Sequence, residues 1–199
     1  AWVVPEHGAA VRLEASSVAV LRGPDSFTFA DAPATSPQVV IHPGRRRTTP
    51  DGEDLDGAMD LGVRPWGNAP EGSALALIGC YQVSGEVSRR LLDALPPVLV
   101  LTPQIWDSPL LTLLGTEIAK DEPGQQAVLD RLFDLLLIAA VRAWFARPES
   151  NAPVWYRAHA DPIVGRALRA LQADPSRPWT VAELARAAGV SRALFARRF

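Results

Sequence analysis

Cysteine is almost absent from these 199 residues. Cys80 stands alone, which excludes an internal disulfide framework and a thiolate cage for zinc and points to a reduced, cytoplasmic setting. Histidine is scarce as well. His7, His42 and His159 fall in three different contexts, whereas an imidazole–carboxylate metal centre wants several His, two of them close together on one strand. No metal ligand set and no cofactor is therefore expected. The longest apolar run, 135–141, is closed by Asp134 and Arg142. It falls far short of the ~20 residues a spanning helix needs, so neither a membrane segment nor a signal peptide is read. Gly-x-Ser-x-Gly and a Gly-Lys-Ser phosphate loop are missing too, and with them the common nucleophile and nucleotide signatures. The expectation is a protein that is not an enzyme.

What is present divides by charge. The net charge is −2 overall, which says nothing about nucleic acid. From Asp161 to Phe199, however, seven Arg face three acids, a surplus of +4, while the remaining residues carry −6. A basic tail on an acidic body predicts two modules with different partners.

Residues 1–83 read as β-rich. Short strands are expected over 10–15, 18–21, 27–29 and 38–42, with a longer one over 75–83 that would bury Cys80 as an inert thiol. Turn residues such as Gly23-Pro24 separate them, a pattern that argues for a sandwich or barrel. The Pro-, Gly- and acid-rich stretch 43–72, headed by Arg45-Arg46-Arg47, reads as a long loop interrupting that domain. Trp2, Trp66 and Tyr81 could line a ligand cavity or simply pack.

Residues 84–147 turn helical. Apolar side chains at 87, 91, 92 and 95 have helical spacing, and Pro96-Pro97 stops that helix. A second is expected to start with Asp107 or Ser108 as N-cap and Pro109 in its first turn, and to run to about Lys120. The third, 125–146, is apolar around more than one stripe. It is either sunk between the β-domain and neighbouring helices or packed on a second subunit, and the second alternative makes it the candidate homodimer element. Residues 148–160 read as a polar, irregular linker anchored by Trp155-Tyr156.

The tail carries the densest pattern. Asp161-Pro162 is a helix start, with Val164, Ala167, Leu168 and Leu171 on one face and Asp174-Pro175 as the stop. Thr180-Val-Ala-Glu183 is a capping box in which the Thr hydroxyl and the Glu carboxylate each take the other's backbone N–H. A short helix over 181–188 then meets Gly189, which can take the left-handed conformation of a tight inter-helical turn. Ser191 is a natural N-cap for a last helix. Leu184, Val190 and Phe195 would form the core between these helices, and the last one would offer Arg192, Ala193, Ala196 and Arg197 to a major groove.

At those offsets the segment 178–199 resembles the first helix-turn-helix of AraC/XylS-type transcription regulators. Upstream, Asp51-Gly-Glu53, Met59-Asp-Leu-Gly-Val-Arg64, Trp66-Gly-Asn68 and Gly85-Glu-Val-Ser-Arg-Arg90 with the Leu-Leu-Asp-Ala-Leu-Pro-Pro that follows are similar to the cupin-type sensor domain of one AraC subgroup. The resemblance implies an α+β fold class: a cupin-like β-barrel or sandwich, then packed helices, then a partial all-α helix-turn-helix module. It implies a cupin-like effector-binding and dimerisation domain over 1–147, a linker over 148–160 and a partial DNA-binding domain over 161–199. The chain would thus stop at the first recognition helix, short of a second helix-turn-helix, and lack the start of the cupin. It also implies DNA and an unidentified small-molecule effector as partners, within a homodimer. Ala193, Ala196 and Arg197 would face bases, Arg192 a phosphate, Arg198 phosphate or solvent, and Ser191 would cap the reading helix. In a metal-binding cupin the last His ligand would fall near Phe27, which cannot ligate. The alternatives are a cupin-type metal-dependent enzyme and a stand-alone ligand-binding or dimerisation module.

Overall fold

A computed structural model describes residues 1–55, 57–61, 66–67, 74–81 and 86–199, with the side chains of 45 and 86–89 also left aside. The Gly62-Val63-Arg64, Asn68 and Gly85 parts of the cupin-like motifs, residues 82–83 of the expected long strand, the Val87 side chain and much of 56–73 lie outside that description. The chain is of the α+β class and divides into two compact units, Ala1–Trp144 and Phe145–Phe199.

In the first unit, β1 (Trp2–Pro5) is the centre of an antiparallel sheet flanked by β2 (Val11–Arg12) and β4 (Phe27–Ala30). Val3 sits opposite both Val11 and Phe29 and is fully buried. Between β2 and β4 in sequence, β3 (Val18–Leu21) leaves to pair antiparallel with the distant β7 (Val98–Leu101). β7 alternates half-buried Val98 and Val100 with buried Leu99 and Leu101, the period-two signature of a strand with one face on a core. A hairpin of β5 (Val40–Ile41) and β6 (Arg47–Thr48) closes around a 3-10 turn at Pro43–Arg45.

Three helices follow: α1 (Glu86–Asp93), α2 (Pro109–Ile118) and α3 (Gln125–Phe145). Arg22, just past β3, donates to the Leu92 carbonyl at 3.2 Å. It thereby adds a second donor to a carbonyl that already accepts from the Leu95 N–H at 2.9 Å, and sets a cation where the helix dipole favours one. Ser108 caps α2, accepting from the Leu110 N–H at 3.4 Å, with Pro109 in the first turn. The side chain of Gln125 is buried at the start of α3 and donates to the Glu117 and Lys120 carbonyls, tying α3 to the open end of α2. Leu114, Leu129 and Leu136 form the core between the two helices, and Val18 of β3 packs against it.

Several expectations are corrected here. Of the strand expected over 75–83, the described part, 75–81, is not a strand: it has no strand pairing, Leu75 is 78% and Ile78 63% exposed, and Cys80 is an exposed rather than a buried thiol. This segment meets its neighbours through side chains instead of a ladder. Gly79 lies so close to Phe133 of α3 that a Cβ there would be 3.0 Å from the ring. The strands expected at 10–15 and 38–42 shrink to two residues each, while β1, β6 and β7 were not anticipated. The linker over 148–160 is also not irregular throughout, because α4 (Val154–Ala160) forms within it.

The second unit is helical: α4, α5 (Val164–Ala173), α6 (Val181–Ala187) and α7 (Arg192–Arg198). Asp161 ends α4 and starts α5. Its Oδ1 accepts from the backbone N–H groups of Ile163 and Val164 at 2.8 and 2.9 Å, so α5 begins at Val164 rather than at Pro162. At Gly165 the two helices touch backbone to backbone. A Cβ there would lie 2.4 Å from the His159 carbonyl oxygen, which cannot swing aside as a flexible side chain would. Gly165→Ala is therefore expected to destabilise the chain by ~1–3 kcal/mol through overpacking. Urea denaturation of the variant checks this, and an unchanged midpoint would show that α4 and α5 do not approach so closely.

Candidate nucleic-acid interface

The site is built from the α6 N-terminus onward. Thr180 Oγ1 accepts from the Glu183 N–H at 3.3 Å, and Glu183 Oε2 accepts from the Thr180 N–H at 2.9 Å, so the capping box is complete. Arg177 adds a charge-assisted bond to Glu183 Oε1 at 2.6 Å and lays its guanidinium over the Trp179 ring, 4.1 Å from the centroid. The backbone bond from Thr180, then Arg177 and the Thr180 hydroxyl, hold the Glu183 carboxyl down at about 2.

Gly189 takes φ +71°, the left-handed region that favours glycine, and the chain reverses there. Its N–H donates to Arg186 O and that of Val190 to Ala185 O, both at 3.0 Å, which closes the α6 C-terminus. Ser191 Oγ then accepts from the Leu194 N–H at 3.2 Å and starts α7. Between the helices lies a core of Ala167 from α5, Leu184, Ala185 and Ala188 from α6 and its end, and Phe195 from α7. Leu184, Val190 and Phe195 meet there as the spacing predicted, joined by Ile163, Leu171 and Trp179.

With Phe195 turned inward, Ser191, Arg192, Ala193, Ala196, Arg197 and Arg198 are all exposed. Arg192, Ala193, Ala196 and Arg197 share one strip of α7 by their i, i+1, i+4, i+5 spacing. Neither Arg192 nor Arg197 has an ion-pair partner among the described residues, whereas Arg198 Nη1 stands 3.7 Å from Asp161 Oδ2. The sequence reading missed that pair. The residues are far apart along the chain, and no local pattern links them. It also missed Arg177 on Trp179, for which the near neighbours in sequence were the available signal.

The three aromatic residues that could line a cavity or simply pack each have a different described neighbourhood. Trp2 lies in β1, Trp66 carries the Arg47 guanidinium 5.4 Å from its ring centroid, and Tyr81 lies near Asp130 and Asp134 of α3. A separate cleft between Pro5, Leu21, Arg22, Phe27, Pro97 and Val98 encloses about 50 Å³, well below the ~300 Å³ at which small-molecule pockets begin. Among the described residues no group of three or more His, Cys, Asp or Glu is placed to hold a metal. His42 Nε2 is instead 2.9 Å from the Thr48 hydroxyl, while His7 and His159 are exposed.

Comparison with known proteins defines the class first. Residues 1–146 match the cupin family, and the chain belongs to it. More particularly, it is 33% identical over 161 residues to an AraC-like transcription regulator of Streptomyces antibioticus, covering 73% of this chain and 52% of that protein. It is 30% identical over 188 residues to an AraC-like transcription regulator of Streptomyces lividans, covering 90% of this chain and 56% of that one. The HTH-type transcriptional regulator AlkR of Acinetobacter baylyi is 32% identical over 115 residues, 55% of this chain and 37% of its own length. The chain spans about half the length of the two Streptomyces relatives it matches. No solved structure matches it at a significant level.

The capping box makes a pH prediction. Glu183 is held at about 2 against an ordinary 4.5, so its stabilising effect is complete above pH 4.5 and disappears as the pH falls toward 2. Melting temperatures of the wild type and Glu183→Gln should differ at pH 6 and converge over that acid window. A gap that stays constant down to pH 2 would show that the carboxylate charge does not hold the cap.

Proposed function

We propose that this chain is the sensor and leading DNA-binding segment of a ligand-responsive, cytoplasmic transcription regulator of the AraC type, without catalytic activity of its own. In this reading residues 1–147 form a cupin-like barrel that takes a small-molecule effector, 148–160 connect, and 161–199 are a partial helix-turn-helix domain. The observation that carries it is the exposed strip of α7, with Arg192 and Arg197 unpaired among the described residues and the helix held from behind by Phe195. The names of the similar regulators support it further.

Geometry supplies the mechanism. α7 enters a major groove with its first turns against the base edges. Arg197 suits a guanine, whose O6 and N7 accept a guanidinium in bidentate fashion, and Ala193 and Ala196 suit a thymine methyl. Arg192 goes to phosphate, and Arg198 can do so by exchanging its Asp161 partner. An effector acts by binding one placement of the DNA-binding segments better than another. Selection of duplexes from a random pool should enrich one common site. Arg197→Ala should weaken binding there by ~1–3 kcal/mol and relax the preference at one position. A pool with no enrichment sinks the reading.

The homodimer has its own support. α3 buries Gln125, Leu129, Leu136 and Ala140 along one face and leaves Val128, Leu135 and Ile138 45%, 52% and 57% exposed along another. An apolar stripe without cover suits a second copy of the same helix. Leu135→Asp combined with Ile138→Asp is expected to turn a dimer into a monomer in analytical ultracentrifugation, with helicity unchanged. A wild type that sediments as a monomer would remove α3 from that role.

A further inference from the structure

We infer that Arg166 of α5 is a DNA phosphate-contacting residue, a cation lent to the reading helix from outside the α6–α7 pair; this rests on the DNA-binding reading above. A side chain carbon on Gly189 would lie 4.0 Å from Arg166 Nη2, so the guanidinium stands beside the turn that leads into α7. That turn, Gly189-Val190-Ser191, has no cation of its own. In a major-groove complex the chain entering the reading helix passes beside the sugar–phosphate backbone, where a planar guanidinium fork matches two phosphate oxygens.

The charges around the turn favour an anion. Arg186 sits at the end of α6, its carbonyl bonded by the Gly189 N–H, and Arg192 opens α7. The three acids from 161 onward are engaged elsewhere: Asp161 with Arg198 and the α5 N-terminus, Asp174 with the Ser176 hydroxyl, and Glu183 with Arg177 and Thr180. Arg166 itself is exposed and has no ion pair among the described residues. Its base is firm, because Gly165 and Ala167 on either side are buried. Arg169, one turn further along the same helix, differs. Its Nη1 lies 3.3 Å from the Cβ position of Gly165, at the α4 contact and not at the turn.

That contrast provides the test. Fluorescence anisotropy of the purified protein on a mixed-sequence duplex of ~24 base pairs gives log K against log salt between ~50 and ~300 mM NaCl. One phosphate contact corresponds to ~0.9 of slope. Arg166→Gln should reduce the slope by about that amount, Arg166→Lys should keep most of it, and Arg169→Gln, the same charge change on the same helix, should leave it as in the wild type. Matching far-UV spectra and melting curves exclude misfolding as the cause. A wild-type slope in Arg166→Gln, or an equal loss in Arg169→Gln, overturns the inference while the DNA-binding reading stands. A wild type that binds no duplex at any of these salt concentrations overturns both.

Discussion

The second unit depends on one packing arrangement: a single phenyl ring, Phe195, seated against three alanines. Ala167, Ala185 and Ala188 are 0%, 2% and 0% exposed, and their small side chains allow α5 and α6 to approach closely enough for the ring to touch both. Interiors are close-packed, so neither a larger residue at an alanine position nor a smaller one at 195 fits the same space. The direction of the ring also decides what α7 shows to solvent. With Phe195 inward, the strip of Arg192, Ala193, Ala196 and Arg197 points outward by helical periodicity alone. The proposed chemistry of that strip is therefore a consequence of the core behind it.

The tail was legible because its signals are local. A Thr with Glu three residues on, a Gly where the chain must reverse and a Ser before the next helix each satisfy orphan backbone groups within one turn. They produced the helix pair and its core with boundaries correct to a residue. α2 and α3 were readable for the same reason, through Ser108-Pro109 and a long apolar periodicity. The β-rich half was less so. β3 pairs with β7 across most of the first unit, and a strand of four residues carries no mark of a partner so distant. The apolar run at 75–81 shows the converse failure: its β-character pairs with no strand, and the chain lies exposed with Gly79 beside Phe133. α4 was missed because a helix of only seven residues has little propensity signal and depends on its neighbours.

The candidate site follows the same division. The residues of the outward strip came from spacing and resemblance. The contacts that adjust their availability, Arg198 with Asp161 and Arg166 beside Gly189, are tertiary and could not be read from the chain. They matter because a guanidinium held by a carboxylate and one left open beside a turn are different resources for a polyanion. The two arginines next to each other in sequence, Arg197 and Arg198, are for that reason not equivalent.

Asp161 has a structural consequence beyond its charge. One carboxylate stands at the end of α4, caps the start of α5 and reaches a guanidinium in the last turn of α7. α4, α6 and α7 have seven residues each, too few to persist as helices in isolation. Elements that short lean on what ties them together, the carboxylate for α4, α5 and α7 and the Phe195 ring for α5, α6 and α7. Loosening either tie is therefore expected to lower the stability of three rods at once rather than of one.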